Sequence, residues 1–118
     1  MSKVVKKKKP VKNVFEITQF KKMMGKGLIT VWNGAVVDKK MIIDEVKKIK
    51  DKLISGSIKS IGMTGYVNNG VLYIFDGIER LFVINAISYT ELKKNQLDIE
   101  IFINQYPKLT KEEVASLV

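Results

Sequence analysis

The chain has 118 residues, a formal net charge of +9, no cysteine and no histidine. This length is typical of one domain. The composition excludes disulfides, a Ser-His-Asp triad and ordinary zinc sites, so any catalysis must use Asp, Glu, Lys, Arg, Tyr, Ser or Thr. No apolar run reaches the roughly 18–20 residues that span a bilayer, and the lysine-rich start lacks the apolar stretch of a secretory signal. We therefore expect a cytoplasmic protein that does not enter a membrane.

The positive charge is concentrated at the start of the chain. Residues 1–13 contain no acidic residue and six lysines: Lys3, Lys6, Lys7, Lys8, Lys9 and Lys12. We expect residues 1–13 to be a flexible basic arm and residues 14–118 to be a single folded domain. Two interpretations of the arm stay open, namely contact with nucleic-acid phosphates and a solvated tail that aids solubility. A membrane-surface arm is less favoured, because no amphipathic helix or lipidation motif adjoins it.

The first third of the domain predicts a strand, a helix and a hairpin. We expect a short strand near 14–17 and a short helix that ends at Gly25. The apolar runs within 28–37 flank Asn33 and Gly34, and an Asn-Gly pair between two such runs is typical of a β-hairpin.

The middle of the chain predicts a long amphipathic helix and a second hairpin. Asp38 is expected to cap a helix that runs from Lys39 to about Ser55. Its apolar stripe follows the helical period: Ile42, Val46, Ile49 and Leu53. Residues 58–75 are expected to form the hairpin, with a bulge or a close backbone approach in its first strand.

The last third predicts two capped helices and one strand. We expect a helix from Ile78 to about Ser88 with Asp76 as its N-cap, and a strand over 97–104. A capping box beginning at Thr110 predicts a final short helix. The resulting fold class is α+β, or mixed α/β, with one small mixed sheet and flanking helices.

The segment 73–81 is the most informative motif, because it joins a buried strand, a glycine turn and a helix that opens with an acid and an arginine. Free N–H groups at a helix start attract phosphate. Gly77 would let a ligand approach the backbone, and the chain's single arginine, Arg80, can grip phosphate oxygens at two points. Asp76 or Glu79 can hold a metal ion or a ribose hydroxyl. The alternative is structural, with Arg80 paired to Glu79 or Asp76 on the helix surface.

The stretch from roughly Lys39 to Val118 resembles the ParB/sulfiredoxin-like superfamily, and most closely the N-terminal domain of GmrSD-type restriction endonucleases. The specific match is strand–Asp-Gly-x-x-Arg-Leu–helix at 73–81. The remaining matches are in order and pattern: Trp32 before an amphipathic helix, the helix end 53–58, and the strand 97–103 followed by the helix start at 109–113.

This resemblance implies a ParB/sulfiredoxin-like fold that binds a nucleoside triphosphate, with Mg²⁺, through Asp76, Gly77, Glu79 and Arg80. It also implies a nucleic-acid-associated role, with DNA favoured over RNA, of the kind found in partition, nuclease and restriction modules. Catalysis would use Asp76, Glu79 and Arg80. A nuclease would need a metal held by carboxylates such as Asp76 and Glu79, with Asp98 or Glu100. A viral or mobile element would be a natural source of so small a version.

Two other functions remain open. One is a protein–protein interaction module, which is favoured because Gly27 and Leu28 stand where the branch usually carries a Gln-Arg pair. The other is a nonspecific DNA-binding protein that stacks bases on aromatic side chains, for which the candidates are Tyr66, Tyr73 and Tyr89. A second copy of the chain is a further expected partner, and an edge strand over 97–103 could pair with it.

Overall fold

A computed structural model of the chain describes residues 9–35, 37–97 and 99–117. These residues form a small mixed α/β protein with a five-stranded mixed sheet and five helices. In chain order they are β1 Val11–Glu16, α1 Ile17–Gly25, β2 Ile29–Val31, α2 Lys39–Ile54, β3 Ser60–Asn68, β4 Val71–Asp76, α3 Ile78–Ala86, α4 Tyr89–Lys94, β5 Glu100–Tyr106 and α5 Lys111–Leu117. The predicted mixed class is confirmed. Six residues named above lie outside the described residues: Lys3, Lys6, Lys7, Lys8, Asp98 and Val118.

The sheet has the strand order β1-β5-β3-β4-β2. β1 and β5 are antiparallel, β5 and β3 parallel, β3 and β4 antiparallel, and β4 and β2 parallel. The expectation that the strand over 97–103 is an edge is wrong, because β5 is covered on one side by β1 and on the other by β3. The edges of the sheet are β1 and β2.

The boundary that we expected between the arm and the domain is also wrong by a few residues. β1 begins at Val11, and Lys12 lies inside it, opposite Asn104 of β5. Phe15 faces the core and meets the ring of Phe20 edge-on at 6.0 Å. This strand is difficult to recognise in the sequence, because lysines precede it and lie within it. An edge strand tolerates them, since only one of its faces needs apolar residues.

The hairpin expected around Asn33 and Gly34 does not form. β2 instead pairs in parallel with β4, and Trp32 N donates to Ile74 O at 2.8 Å. Asn33 and Gly34 do make a turn, which is closed by a hydrogen bond of 3.1 Å from Ala35 N to Trp32 O. That turn leads the chain towards α2, because the buried strand β4 is a larger apolar partner for β2 than the short run after the turn.

The β3–β4 hairpin is confirmed, with Asn69 and Gly70 both at positive φ, 52° and 78°, as a tight two-residue loop requires. The close backbone approach predicted for the first strand is present at Gly65, where an added Cβ would lie 2.5 Å from Tyr73 O, but the bulge is in the second strand. Gly65 pairs with Ile74 and Thr64 pairs with Asp76, so one residue of β4 has no counterpart on β3. This bulge sets the direction in which the Asp76 turn leaves the sheet.

Two apolar clusters lie on opposite faces of the sheet. The larger one contains Phe20 of α1, Leu53 of α2, Ile84 of α3 and Leu92 of α4 together with the strands. The smaller one joins Phe75, Leu109 and Val114, so α5 packs on the second face. Among the described residues, no helix is both long enough and apolar enough to cross a bilayer.

Candidate functional site

The turn between β4 and α3 carries the predicted site, and its local geometry is set by Gly77. This residue has φ +80° and occupies the N-cap position of α3, with no side chain capping the helix. The expectation that Asp76 caps the helix is therefore wrong. Asp76 remains the exposed last residue of β4, opposite Thr64 of β3.

Gly77 is required by the fold itself. Its φ lies in the left-handed region, which favours glycine. A Cβ added there would lie 3.1 Å from Met63 Cγ and 3.2 Å from Gly62 O, so this side of the turn packs against β3. The glycine thus has a structural reason that does not depend on a ligand approaching the backbone.

Arg80 is used to connect α3 with β3. Its guanidinium donates a hydrogen bond of 2.6 Å to Gly62 O, and its Nε lies 3.9 Å from Glu79 Oε1. The side chains of Arg80 and Glu79 are 46% and 38% exposed. The structural alternative for this motif is therefore present, in the form of the Arg80–Glu79 pair.

A groove of about 470 Å³ lies between α2 and the β4–α3 turn. Its lining combines four carboxylate residues with five apolar ones, and within the described residues no lysine or arginine contributes to it. The acidic residues are Asp38, Glu45, Asp76 and Glu79, and the apolar ones are Val37, Met41, Ile42, Phe75 and Ile78. This combination is the main chemical feature of the site.

The groove does not collect all the predicted phosphate-binding residues. Asp76, Gly77 and Glu79 line it, whereas Arg80 lines a neighbouring cavity of about 280 Å³ together with Lys52. Four carboxylates around one groove repel a phosphate group. The groove thus has the opposite charge preference from the one that the motif suggested.

Among the carboxylates expected to hold a metal, Asp76 and Glu79 line the same groove, Glu100 lies apart from them, and Asp98 is outside the described residues. Glu100 is opposite Ser60 on β3, whereas Asp76 is opposite Thr64. Four residues of strand, about 13 Å, separate these two positions along the sheet. In the part of the chain that the structure describes, no group of three or more Asp or Glu side chains could hold a metal ion.

The aromatic candidates divide between the two sides of the molecule. Tyr66 and Tyr73 are cross-strand neighbours whose ring centroids stack at 5.4 Å, and Tyr106 is opposite Tyr66 on β5. Burial, with a smaller contribution from Tyr73, raises the pKa of Tyr66. Tyr89 is on α4, near Lys21, and does not join this row. Because Tyr66 and Tyr106 pack against the smaller cluster, the row mainly supports the sheet.

Sequence reasoning missed the contribution of α2 to the site. Asp38, Met41, Ile42 and Glu45 recur at the spacing of one helix face, and all four line the groove. The core-facing stripe predicted for α2 is present at Val46, Ile49 and Leu53, whereas its fourth member, Ile42, lines the groove instead. The second stripe was visible in the sequence, but the element opposite it was not.

No family model, curated protein or solved structure matches this chain. The fold and the site themselves define the class of the protein. It is a small mixed α/β protein with an acidic, partly apolar groove at the Asp-Gly turn. The ParB/sulfiredoxin-like relationship remains a proposal that depends on the 73–81 motif and the order of the elements.

Proposed function

We propose that this chain is a protein-binding module of ParB-like fold, and that its groove takes a basic, partly apolar segment of another protein. The observation that carries the proposal is the lining of the groove, with four carboxylates around an apolar floor and, within the described residues, no basic side chain. An apolar floor favours burial of apolar side chains. The carboxylates select a partner with positive charge.

The apolar floor of the groove consists of Val37, Met41, Ile42, Phe75 and Ile78, and part of it is exposed apolar surface on α2. Met41 of α2 is 65% exposed, and Val37 and Ile42 lie beside it in the groove. An unbranched methionine adapts to partner side chains of different shapes. The groove therefore suits an amphipathic segment that places apolar residues on α2 and Lys or Arg side chains against Asp76 and Glu79.

In this proposal the Asp-Gly-x-x-Arg motif has an architectural part and a binding part. Gly77 and Arg80 hold the turn against β3. Asp76 and Glu79 face the partner. The proposal gives Asp76 and Glu79 a binding role and Arg80 a structural one, because the Arg80 guanidinium is hydrogen-bonded to Gly62 O within the chain.

The test compares two synthetic amphipathic peptides, one with lysine and one with glutamate on its polar face, by fluorescence anisotropy. We expect the lysine peptide to bind, and Asp76→Asn/Glu79→Gln to weaken it roughly fivefold, because two exposed pairs are lost. Asp44→Asn/Asp51→Asn removes the same charge from exposed positions outside the groove. Equal binding of the two peptides, or equal weakening by both double variants, would contradict the proposal.

A second candidate function is contact with nucleic acid through the basic start of the chain, with DNA favoured over RNA. Lys9 and Lys12 are exposed, and the Lys12 ammonium lies 4.7 Å from the centroid of the Phe102 ring. The lysine excess of residues 1–13 therefore joins the folded domain at a sheet edge that also presents an aromatic side chain. Such a combination of charge and ring suits a nucleic-acid strand.

A further inference from the structure

Among the described residues, β1 is an edge strand that pairs only with β5, so one row of its backbone N–H and C=O groups has no strand partner there. Its pairing with β5 is regular over all six residues, from Val11 to Glu16. The opposite edge, β2, has three residues. Val11 and Val14 are 62% and 56% exposed.

The side chains of β1 are complementary to a second, antiparallel copy of the same strand. Because side chains alternate along a strand, Lys12, Val14 and Glu16 share the face opposite the core-facing Phe15. If two copies pair antiparallel with Val14 opposite Val14, each Lys12 is placed opposite Glu16 of the second copy. Cross-strand pairs of opposite charge stabilise a sheet.

We propose that two copies of this chain pair through β1 about a two-fold axis at Val14, which joins the two sheets into one of ten strands. The pairing is closed, since the same residues contribute from both sides. Within the chain, Glu16 is opposite Glu100 of β5, and like charges at such positions repel. Lys12 of the second copy supplies the missing positive charge.

An apolar strip continues across this interface. Val14 is opposite Phe102 of β5, which is opposite Gly62 of β3. The ring of Phe102 lies over Gly62, where an added Cβ would overlap with it. In the dimer the strip of one copy meets the strip of the other at the two Val14 side chains.

The charge pattern selects this register over its neighbours. Moving the axis to Asn13 places Lys12 opposite Val14, and moving it to Phe15 places Glu16 opposite Val14, so both alternatives lose the charge pairs. In the proposed register the two Val11 residues are about 20 Å apart. The N-terminal ends of the two β1 strands therefore lie at opposite ends of the interface.

Disulfide trapping tests the register directly, because the chain contains no cysteine of its own. Side chains directly opposite on antiparallel strands have Cβ atoms about 4.5–5.5 Å apart, close to what a disulfide needs. Mild oxidation should therefore link Val14→Cys into a dimer and leave Val11→Cys monomeric. Failure of Val14→Cys to link, or equal linking of both variants, overturns the proposal.

A charge exchange provides a second and independent test by sedimentation equilibrium at high micromolar concentration. Lys12→Glu places two like-charged pairs in the interface and should raise the dimer Kd about tenfold. Lys12→Glu/Glu16→Lys restores both pairs and should recover the wild-type Kd, while Lys22→Glu on α1 should leave it unchanged. A wild-type protein that stays monomeric, or a double variant no better than Lys12→Glu, overturns the proposal.

Discussion

The guanidinium of Arg80 donates a hydrogen bond of 2.6 Å to the carbonyl oxygen of Gly62. This contact joins the first turn of α3 to β3, 18 residues earlier in the chain. The single arginine of the chain thus holds the turn whose other residues line the groove.

Arg80→Ala should destabilise the protein by about 1 kcal/mol, since a hydrogen bond from a charged donor contributes roughly 1.5–3 kcal/mol and this side chain is half exposed. The melting temperature should fall by about 4 °C. Thermal unfolding measures this change, with Lys59→Ala, a substitution at an exposed lysine, as the control. A melting temperature unchanged by Arg80→Ala, together with a stabilisation by a nucleoside triphosphate that the variant loses, would instead assign Arg80 to a phosphate site.

Gly77→Ala should destabilise the protein by about 1–3 kcal/mol, because alanine is strained at φ +80° and its Cβ would approach β3. Gly25→Ala is the matched control. A Cβ at Gly25 meets nothing within 4 Å, and its φ is not positive, so the variant should be as stable as the wild type or slightly more stable. Urea unfolding separates the two results, and equal stabilities for both variants would contradict the architectural role of Gly77.

The features that could be predicted from the sequence are those decided by neighbouring residues. Asp38 accepts hydrogen bonds from Lys40 N at 3.0 Å and Met41 N at 3.3 Å, as its position before an apolar stripe indicates. Thr110 and Glu113 form the predicted capping box. Each signal is complete within a few residues, so its meaning does not depend on the rest of the fold.

The features that could not be predicted depend on distant partners. Nothing in the run ending at Trp32 shows that β4, about 40 residues later, will pair with it in parallel. The acceptor for Arg80 is a carbonyl of β3, which has no sequence signature. The charge of the groove comes from combining Asp76 and Glu79 with carboxylates of α2, and that combination exists only once α2 is packed beside the turn.

Because of Glu91, part of the free energy of unfolding should depend on pH in the acid range. The Ser88 backbone N–H, and next the Lys50 ammonium at 3.1 Å, hold the pKa of Glu91 below its ordinary value of 4.5. Because the folded-state pKa is lowered, its stabilising contribution is complete well above pH 4.5 and is lost as pH falls through the folded-state value. Glu91→Gln should therefore unfold at a lower temperature than the wild type at pH 7, and this difference should shrink below about pH 4. A difference that is constant across pH, as expected for a purely steric effect, would contradict this assignment; Asp44→Asn serves as the control.

The basic start of the chain should make nucleic-acid binding strongly dependent on salt. Deleting residues 2–9 removes five lysines and leaves β1 intact, since β1 begins at Val11. If these lysines contact phosphates, the slope of log K against log salt for duplex DNA should fall in magnitude by up to about 4.5, at roughly 0.9 for each contact. Anisotropy titrations with a short duplex, the matching single strand and the matching RNA measure the slope. Lys47→Gln/Lys48→Gln, exposed on α2, should change it much less. A slope that the deletion leaves unchanged would show that these lysines serve solubility, and the nucleic-acid role would then be abandoned in favour of the groove.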